Sequence, residues 1–83
     1  MKFRIEYIFA SERPVTILTR QLDAGDFTLT EAPRLGGVPI QRTLTQPRAQ
    51  KPDGSPDSSV YMFKLTDARN VREFSVGQVI ELE

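Results

Sequence analysis

Apolar and polar residues alternate along much of the chain, beginning with the stretch Lys2 to Phe9. Apolar side chains recur there at every second position, and charged residues fill most of the positions between them. This period of two is typical of a half-buried β-strand. Ile8 interrupts the polar face, so we expect it to be covered by another strand or by another subunit. The apolar face is expected to comprise Phe3, Ile5, Tyr7 and Phe9.

The stretch Thr16 to Glu31 predicts a bent hairpin. Its centre, Asp23 to Asp26, has turn chemistry, because Gly25 can adopt a positive φ without a Cβ clash and Asp side chains bond the local backbone. Phe27 to Thr30 then alternates again and predicts the next strand. The parity of the apolar positions changes after Ile17, which a β-bulge in this strand would produce. Such a bent hairpin would form a corner of a small barrel.

The later apolar stretches predict further short strands. Val60 to Leu65 is the most apolar run and predicts a central strand, whereas Ala32 to Pro39 is expected to be irregular because it contains two prolines and a Gly-Gly pair. No segment has apolar residues at helical spacing over a sufficient length. We therefore expect an all-β fold, a small, partly open, antiparallel β-barrel of six or seven strands. The other predicted strands are Ile40 to Thr45, Val71 to Val76 and Val79 to Glu83.

Gln46 to Ser59 is a polar segment with three prolines and no large apolar residue. Nothing in it offsets the entropy lost on ordering, so we expect a mobile surface loop that folding does not require. The length of 83 residues predicts a single domain spanning residues 1–83. A chain this short buries a smaller fraction of its surface than a larger chain does, so its stability is expected to be modest.

The composition argues against several classes of function. The chain contains no Cys and no His, so the common general base, thiol nucleophile and zinc ligands are missing and we expect no enzymatic activity. No apolar run reaches the ~18 residues of a membrane span, and the first residues lack a continuous apolar signal region. We therefore expect a cytoplasmic protein that does not engage membranes. Neither the Asp23 to Asp26 turn nor the Asp53 to Asp57 loop has the ligand pattern of a calcium site, so no metal or cofactor is expected.

Charge is balanced in total but unevenly distributed. The eleven Lys and Arg residues equal the eleven Asp and Glu residues, yet residues 32–52 carry four cations and no acid. Arginine has a planar donor fork that suits phosphate or carboxylate, and the Gly36-Gly37 pair would let backbone N–H groups approach an anion. Tyr61 would add a ring for base stacking. The alternative is a solvated basic surface that pairs with acidic residues. The candidate binding residues are Arg34, Gly36, Gly37, Arg42, Arg48, Lys51 and Tyr61.

Two short motifs occur in a familiar order, Gly25-Asp26-Phe27 after the first turn and Gly77-Gln78-Val79 before the last strand. In this order the chain resembles the second domain of translational GTPases, the β-barrel of elongation factor Tu and its relatives. The resemblance implies a barrel. It implies neither GTPase activity nor a tRNA site, because no G-x-x-x-x-G-K-[ST] loop occurs and the segment 46–59 lies outside the family pattern. By size and strand count the chain is also similar to Sm-like small barrels, although these normally begin with a helix.

Two functional hypotheses follow. The first is a non-enzymatic binding module whose basic region contacts RNA or an acidic protein surface. The second is a structural or assembly protein that forms a homo-oligomer by β-edge pairing, because Val60 to Leu65 is apolar on both faces. A monomer with an exposed basic patch would favour the first hypothesis, and a tight oligomer would favour the second.

Overall fold

Six short β-strands and one 3-10 helix make up the regular structure of residues 1–83, all of which the computed structural model describes. The all-β class predicted from the sequence is confirmed. No helix has the length and apolar character needed to cross a lipid bilayer. The strands are β1 (Lys2–Phe9), β2 (Thr16–Gln21), β3 (Arg34–Leu35), β4 (Val38–Pro39), β5 (Val60–Lys64) and β6 (Val79–Glu81), and the 3-10 helix is Ala68–Glu73.

The strands form two antiparallel sheets. Four strands make one sheet in the order β5-β2-β1-β6, and β3 and β4 form a separate hairpin. Single bridges connect the two sheets to each other, from Leu35 to Leu82 after β6 and from Ile40 to Leu65 after β5. The sheets are not closed, so the structure shows a small all-β domain without showing the predicted barrel.

Both outer edges of the four-stranded sheet are partly covered by the chain itself. At the β5 edge, Met62 donates its N–H to the Thr45 carbonyl at 2.7 Å and accepts the Thr45 N–H at 3.4 Å. At the β6 edge, Gly36 donates its N–H to the Glu81 carbonyl at 2.8 Å. These hydrogen bonds reduce the length of unpaired backbone that a second chain could join by edge pairing.

A β-bulge at Glu6 determines which side chains of β1 face the core. The register between β1 and β2 shifts between Ile5 and Tyr7, so Glu6 has no partner on β2. An extra residue reverses the parity of all residues that follow it. Accordingly, Phe3 is fully buried whereas Tyr7 is 55% exposed, and Ile8 packs against the core within the same chain. The expected single apolar face of β1 is therefore wrong beyond the bulge, and the bulge lies in β1 rather than in β2.

The core combines residues of the four-stranded sheet with residues of the β3–β4 hairpin. Phe3 is at its aromatic centre, with ring centroids 5.1 Å from Phe63, 5.3 Å from Phe27 and 6.1 Å from Tyr61. All three contacts are edge-to-face, a favourable arrangement because it places a ring's positive edge against a negative face. The buried cluster comprises Phe3, Ile5, Val15, Ile17, Leu35, Ile40, Phe63, Leu65, Phe74 and Ile80.

The strands predicted at Phe27 to Thr30 and at Ile40 to Thr45 are wrong, because neither segment forms a ladder. In the first segment, Phe27 packs on the core without backbone pairing, so its alternation reflects side-chain burial alone. The second segment makes only a single bridge at each end. The positive φ expected at Gly25 is confirmed, with a value of 111°.

Ala32 to Pro39 is not irregular as predicted, because its Gly-Gly pair forms the turn of the β3–β4 hairpin. Gly36 has a φ of 59° and Gly37 a φ of 82°, and positive φ at both central residues is characteristic of a type I′ turn. The strand predicted at Val71 to Val76 is also wrong. The Asp67 carboxylate accepts the Arg69 N–H at 2.9 Å and caps a 3-10 helix there instead.

Val60 to Leu65 contains β5, but β5 lies at the edge of the sheet and not at its centre as predicted. The preceding segment, Gln46 to Ser59, contains no strand. It is nevertheless attached to the sheet, because Asp57 is only 9% exposed and forms an ion pair with Arg20. The mobility of this loop stays a prediction.

Candidate functional site

Arg34 and Arg42 are the two predicted binding residues that the fold places in the same pocket. The pocket has a volume of about 300 Å³ and lies beside the β3–β4 hairpin. Arg34 donates from Nη1 to the Gly37 carbonyl at 3.0 Å, and Arg42 donates from Nε to the Thr30 carbonyl at 3.1 Å. Because each guanidinium has five N–H donors, both retain donors for a ligand. The pocket is lined by Glu31, Ala32, Pro33, Arg34, Pro39, Ile40, Gln41, Arg42 and Thr66.

Neither arginine is neutralised by a carboxylate. All ion pairs of the chain involve the N-terminus, Arg4, Arg20 or Arg69. Arg34 and Arg42 are both exposed. Glu31 also lines the pocket, so one acidic side chain borders the two cations. The pocket thus presents two unpaired guanidinium groups to solvent.

The Gly36-Gly37 pair forms the turn of the β3–β4 hairpin, and an anion-binding role for it stays a prediction. The Gly36 N–H is donated to the Glu81 carbonyl at 2.8 Å and is therefore occupied. A Cβ at Gly36 would lie 3.2 Å from Cγ2 of Ile80, a tight contact that adds to the preference for glycine set by the positive φ. These glycines position Arg34 by shaping the turn that follows it.

Arg48 and Lys51 lie apart from this pocket. Arg48 lines a different pocket of about 400 Å³ that is formed within the loop 46–59. Lys51 is exposed in the same loop, where its backbone N–H is donated to the Ser55 carbonyl at 2.8 Å. The four cations that are close in sequence are therefore divided between two pockets and a loop.

Tyr61 is half-buried in the aromatic cluster. Its ring centroid lies 4.9 Å from that of Phe27 and 6.1 Å from that of Phe3, in edge-to-face geometry. It also lines a polar pocket of about 390 Å³ beside the Gly25 turn, away from Arg34 and Arg42. The ring is thus engaged mainly in packing.

An ion-pair network around Arg20 is the most connected polar cluster of the chain, and few sequence features indicated it. Arg20 donates from Nε to Glu6 at 2.7 Å, and from Nη1 to Asp57 at 2.7 Å and to the Ser59 hydroxyl at 2.9 Å. Glu6 also accepts from Arg4 at 3.3 Å. The network connects the bulge in β1, the strand β2 and the end of the loop 46–59.

The network lowers the pKa of both carboxylates. Hydrogen bonds from Arg4 and then Arg20 lower the pKa of Glu6, and hydrogen bonds from the Ser59 side chain and from Arg20 lower that of Asp57. The only local signal was the Asp57-Ser58-Ser59 sequence, which is typical of an Asx turn. The partners of Arg20 come from distant parts of the chain, so sequence patterns alone did not reveal the network.

Comparisons of the chain with protein-family models, with curated proteins and with solved structures found no match. The resemblance to the elongation-factor barrel and to Sm-like barrels therefore stays a prediction. Of its two motifs, Gly77-Gln78-Val79 leads into β6 as expected, whereas Gly25-Asp26-Phe27 is not followed by a strand.

Proposed function

We propose that this protein is a non-enzymatic binding module that holds an acidic segment of a partner protein in the pocket between Arg34 and Arg42. The observation that carries the proposal is that two exposed guanidinium groups, neither paired with a carboxylate, line one pocket. A planar guanidinium can donate two parallel hydrogen bonds to one carboxylate. Two such groups beside a short hairpin suit a pair of neighbouring Asp or Glu side chains.

The distribution of cations favours a short acidic segment over RNA. A single strand of RNA is bound by a continuous positive groove and by exposed rings on which successive bases stack. Here Arg48 and Lys51 lie away from the pocket, and the half-buried Tyr61 packs against the core. The net charge of zero also provides no overall attraction for a polyanion.

The packing of the β3–β4 hairpin against the core supports this function, because it holds Arg34 in place. We interpret the single bridges between the sheets as a partly open barrel, with the β3–β4 hairpin at its rim and the pocket outside it. Leu35 fixes the hairpin in the core, directly beside Arg34. The absence of Cys and His from the sequence favours binding over catalysis. A reducing cytoplasm is the setting that a Cys-free chain suits.

Fluorescence anisotropy with a labelled poly-glutamate peptide at low and moderate salt tests the proposal. The double variant Arg34→Gln with Arg42→Gln should weaken binding by roughly five- to thirtyfold, as expected for about 1–2 kcal/mol of lost charge-assisted hydrogen bonding. The matched control, Arg48→Gln with Lys51→Gln, removes the same charge outside the pocket and should retain most of the affinity.

Two results would overturn the proposal. One is no peptide binding by the folded wild-type protein at low salt, and the other is equal weakening by both double variants, which would indicate non-specific charge attraction. Labelled single-stranded RNA serves as the competing ligand. If RNA binds and the triple variant Arg34→Gln, Arg42→Gln and Arg48→Gln flattens its salt dependence by about one unit per lost contact, the partner is nucleic acid instead.

A further inference from the structure

The outer face of the four-stranded sheet carries a row of apolar side chains that the core does not use. Tyr7, Leu18 and Met62 are direct cross-strand partners on β1, β2 and β5, so their side chains share one face. Tyr7 is 55% exposed, and its ring centroid lies 4.8 Å from that of Phe9. Leu18 and Met62 are half-buried. We call these three cross-strand partners the outer row.

The charges beside the outer row are mostly neutralised within the chain. On one side of the row, Arg4 and Arg20 pair across the strands, and both donate to Glu6. Arg20 also donates to Asp57. On the other side, Lys64 shares the face without forming an ion pair. Because few charges are free, this face suits burial against a protein better than binding of a polyanion.

We propose that the outer row is a self-association surface that packs against the outer row of a second copy of this chain. Both edges of the sheet are partly covered by intrachain hydrogen bonds, so the exposed face offers two copies a larger free surface than the edges do. Such a contact is isologous, because the same patch is used on both copies. This inference concerns a different surface from the Arg34–Arg42 pocket and does not depend on it.

The arrangement of charges around the outer row selects one orientation of the two copies. A two-fold axis along the row would place each Leu18 opposite the Leu18 of the other copy. According to the strand register, Arg4 of one copy would then lie over Phe9 of the other, and Arg20 over Thr16. No cation then faces a cation, and a guanidinium lies over an aromatic ring, which is a favourable contact. A two-fold axis along β2 would instead place Arg20 opposite Arg20.

The patch is small, so the dimer should be weak. Three strands at ~4.8 Å spacing and about five residues at ~3.4 Å rise give a footprint on the order of 400 Å² per copy with side chains included. This is about half the ~800 Å² per partner of a standard interface, so a dissociation constant on the order of 0.1 mM is expected.

Sedimentation velocity and light scattering at concentrations up to about 1 mM test the proposal, given this affinity. Wild-type protein should be a reversible dimer at the upper end. Leu18→Lys places like charges on the two-fold axis and should raise the dissociation constant at least about tenfold. Ala24→Lys, at an exposed turn position away from the row, should leave it unchanged. A wild-type protein that stays monomeric, or a dimer that Leu18→Lys does not weaken, would overturn the proposal.

Disulfide trapping provides a second measurement that does not depend on the charge variant. The chain has no Cys, so Leu18→Cys introduces a single thiol on the proposed axis. Under mild oxidation it should form a covalent dimer at least about tenfold faster than Ala24→Cys, because the bound dimer holds the two thiols together. Equal rates would also overturn the proposal. Dimerisation should be unaffected by Arg34→Gln with Arg42→Gln, which separates this surface from the proposed pocket.

Discussion

Leu35→Ala should destabilise the protein strongly, because the β3–β4 hairpin is part of the core. Leu35 is 0% exposed and belongs to the main buried cluster. Its backbone also forms a β-bridge with Leu82, directly after β6. Removing three buried carbons costs about 2.4 kcal/mol of transfer free energy at ~0.8 kcal/mol each, and the cavity left behind adds to this cost. We therefore expect a loss of about 3 kcal/mol.

Thermal unfolding followed by circular dichroism measures this loss. For a domain of this length, 1 kcal/mol corresponds to about 6 °C, so the expected change in Tm is a decrease of about 18 °C. Leu44→Ala is the matched control, because Leu44 is 39% exposed and lies in a segment without strand pairing. The control should cost about 1 kcal/mol or less. If both substitutions lower the Tm equally, the β3–β4 hairpin does not pack against the core.

Three further predictions test other parts of the fold. Gly25→Val should lower the free energy of unfolding by roughly 1–3 kcal/mol in chemical denaturation, because φ is 111° there. No atom lies within 4 Å of the added Cβ, so the cost comes from the backbone alone, and a neutral result would show that the backbone is not strained. Replacing residues 47–55 by a Gly-Ser linker should leave the Tm within a few degrees, whereas Asp57→Asn should lower it. A larger decrease from the linker than from Asp57→Asn would show that residues 47–55 pack on the rest of the protein. The pKa values of Glu6 and Asp57 are lowered in the folded state, so the unfolded chain binds more protons and stability should decline below about pH 4.5. Arg20→Gln should flatten that decline in denaturation curves from pH 3 to pH 7, and an unchanged slope would contradict the network's role.

The positions of β1, β2 and β6 were predictable from the sequence, whereas the bulge at Glu6 and the lack of pairing at Phe27 to Thr30 were not, because alternation alone does not show which backbone pairs. β1, β2 and β6 begin and end close to the predicted bounds. The hairpin at Gly36-Gly37 was missed because glycine both interrupts a strand and forms the tightest turn between two strands. A two-residue Gly-Gly loop is a hairpin signal, but β3 and β4 are only two residues each, too short to show alternation on either side of it.

The candidate site was predictable only as a set of residue types. Four cations close in sequence indicated an anion site. Whether Arg48 and Lys51 lie near Arg34 and Arg42 in the folded protein depends on the path of the loop between residues 46 and 59. The structure brings Arg34 and Arg42 to one pocket and separates them from Arg48. The Arg20 network was missed because its members are 14 and 37 residues apart along the chain.

The unpaired residue in β1 has a consequence for how related chains should be aligned. Because Glu6 has no partner on β2, insertion or deletion of one residue there would exchange the environments of Tyr7 and Ile8 without changing either amino acid. An alignment that treats β1 as an uninterrupted strand would therefore assign every later position of that strand to the opposite side of the sheet. In distant relatives, the length of this strand should be compared before the hydrophobicity of its residues.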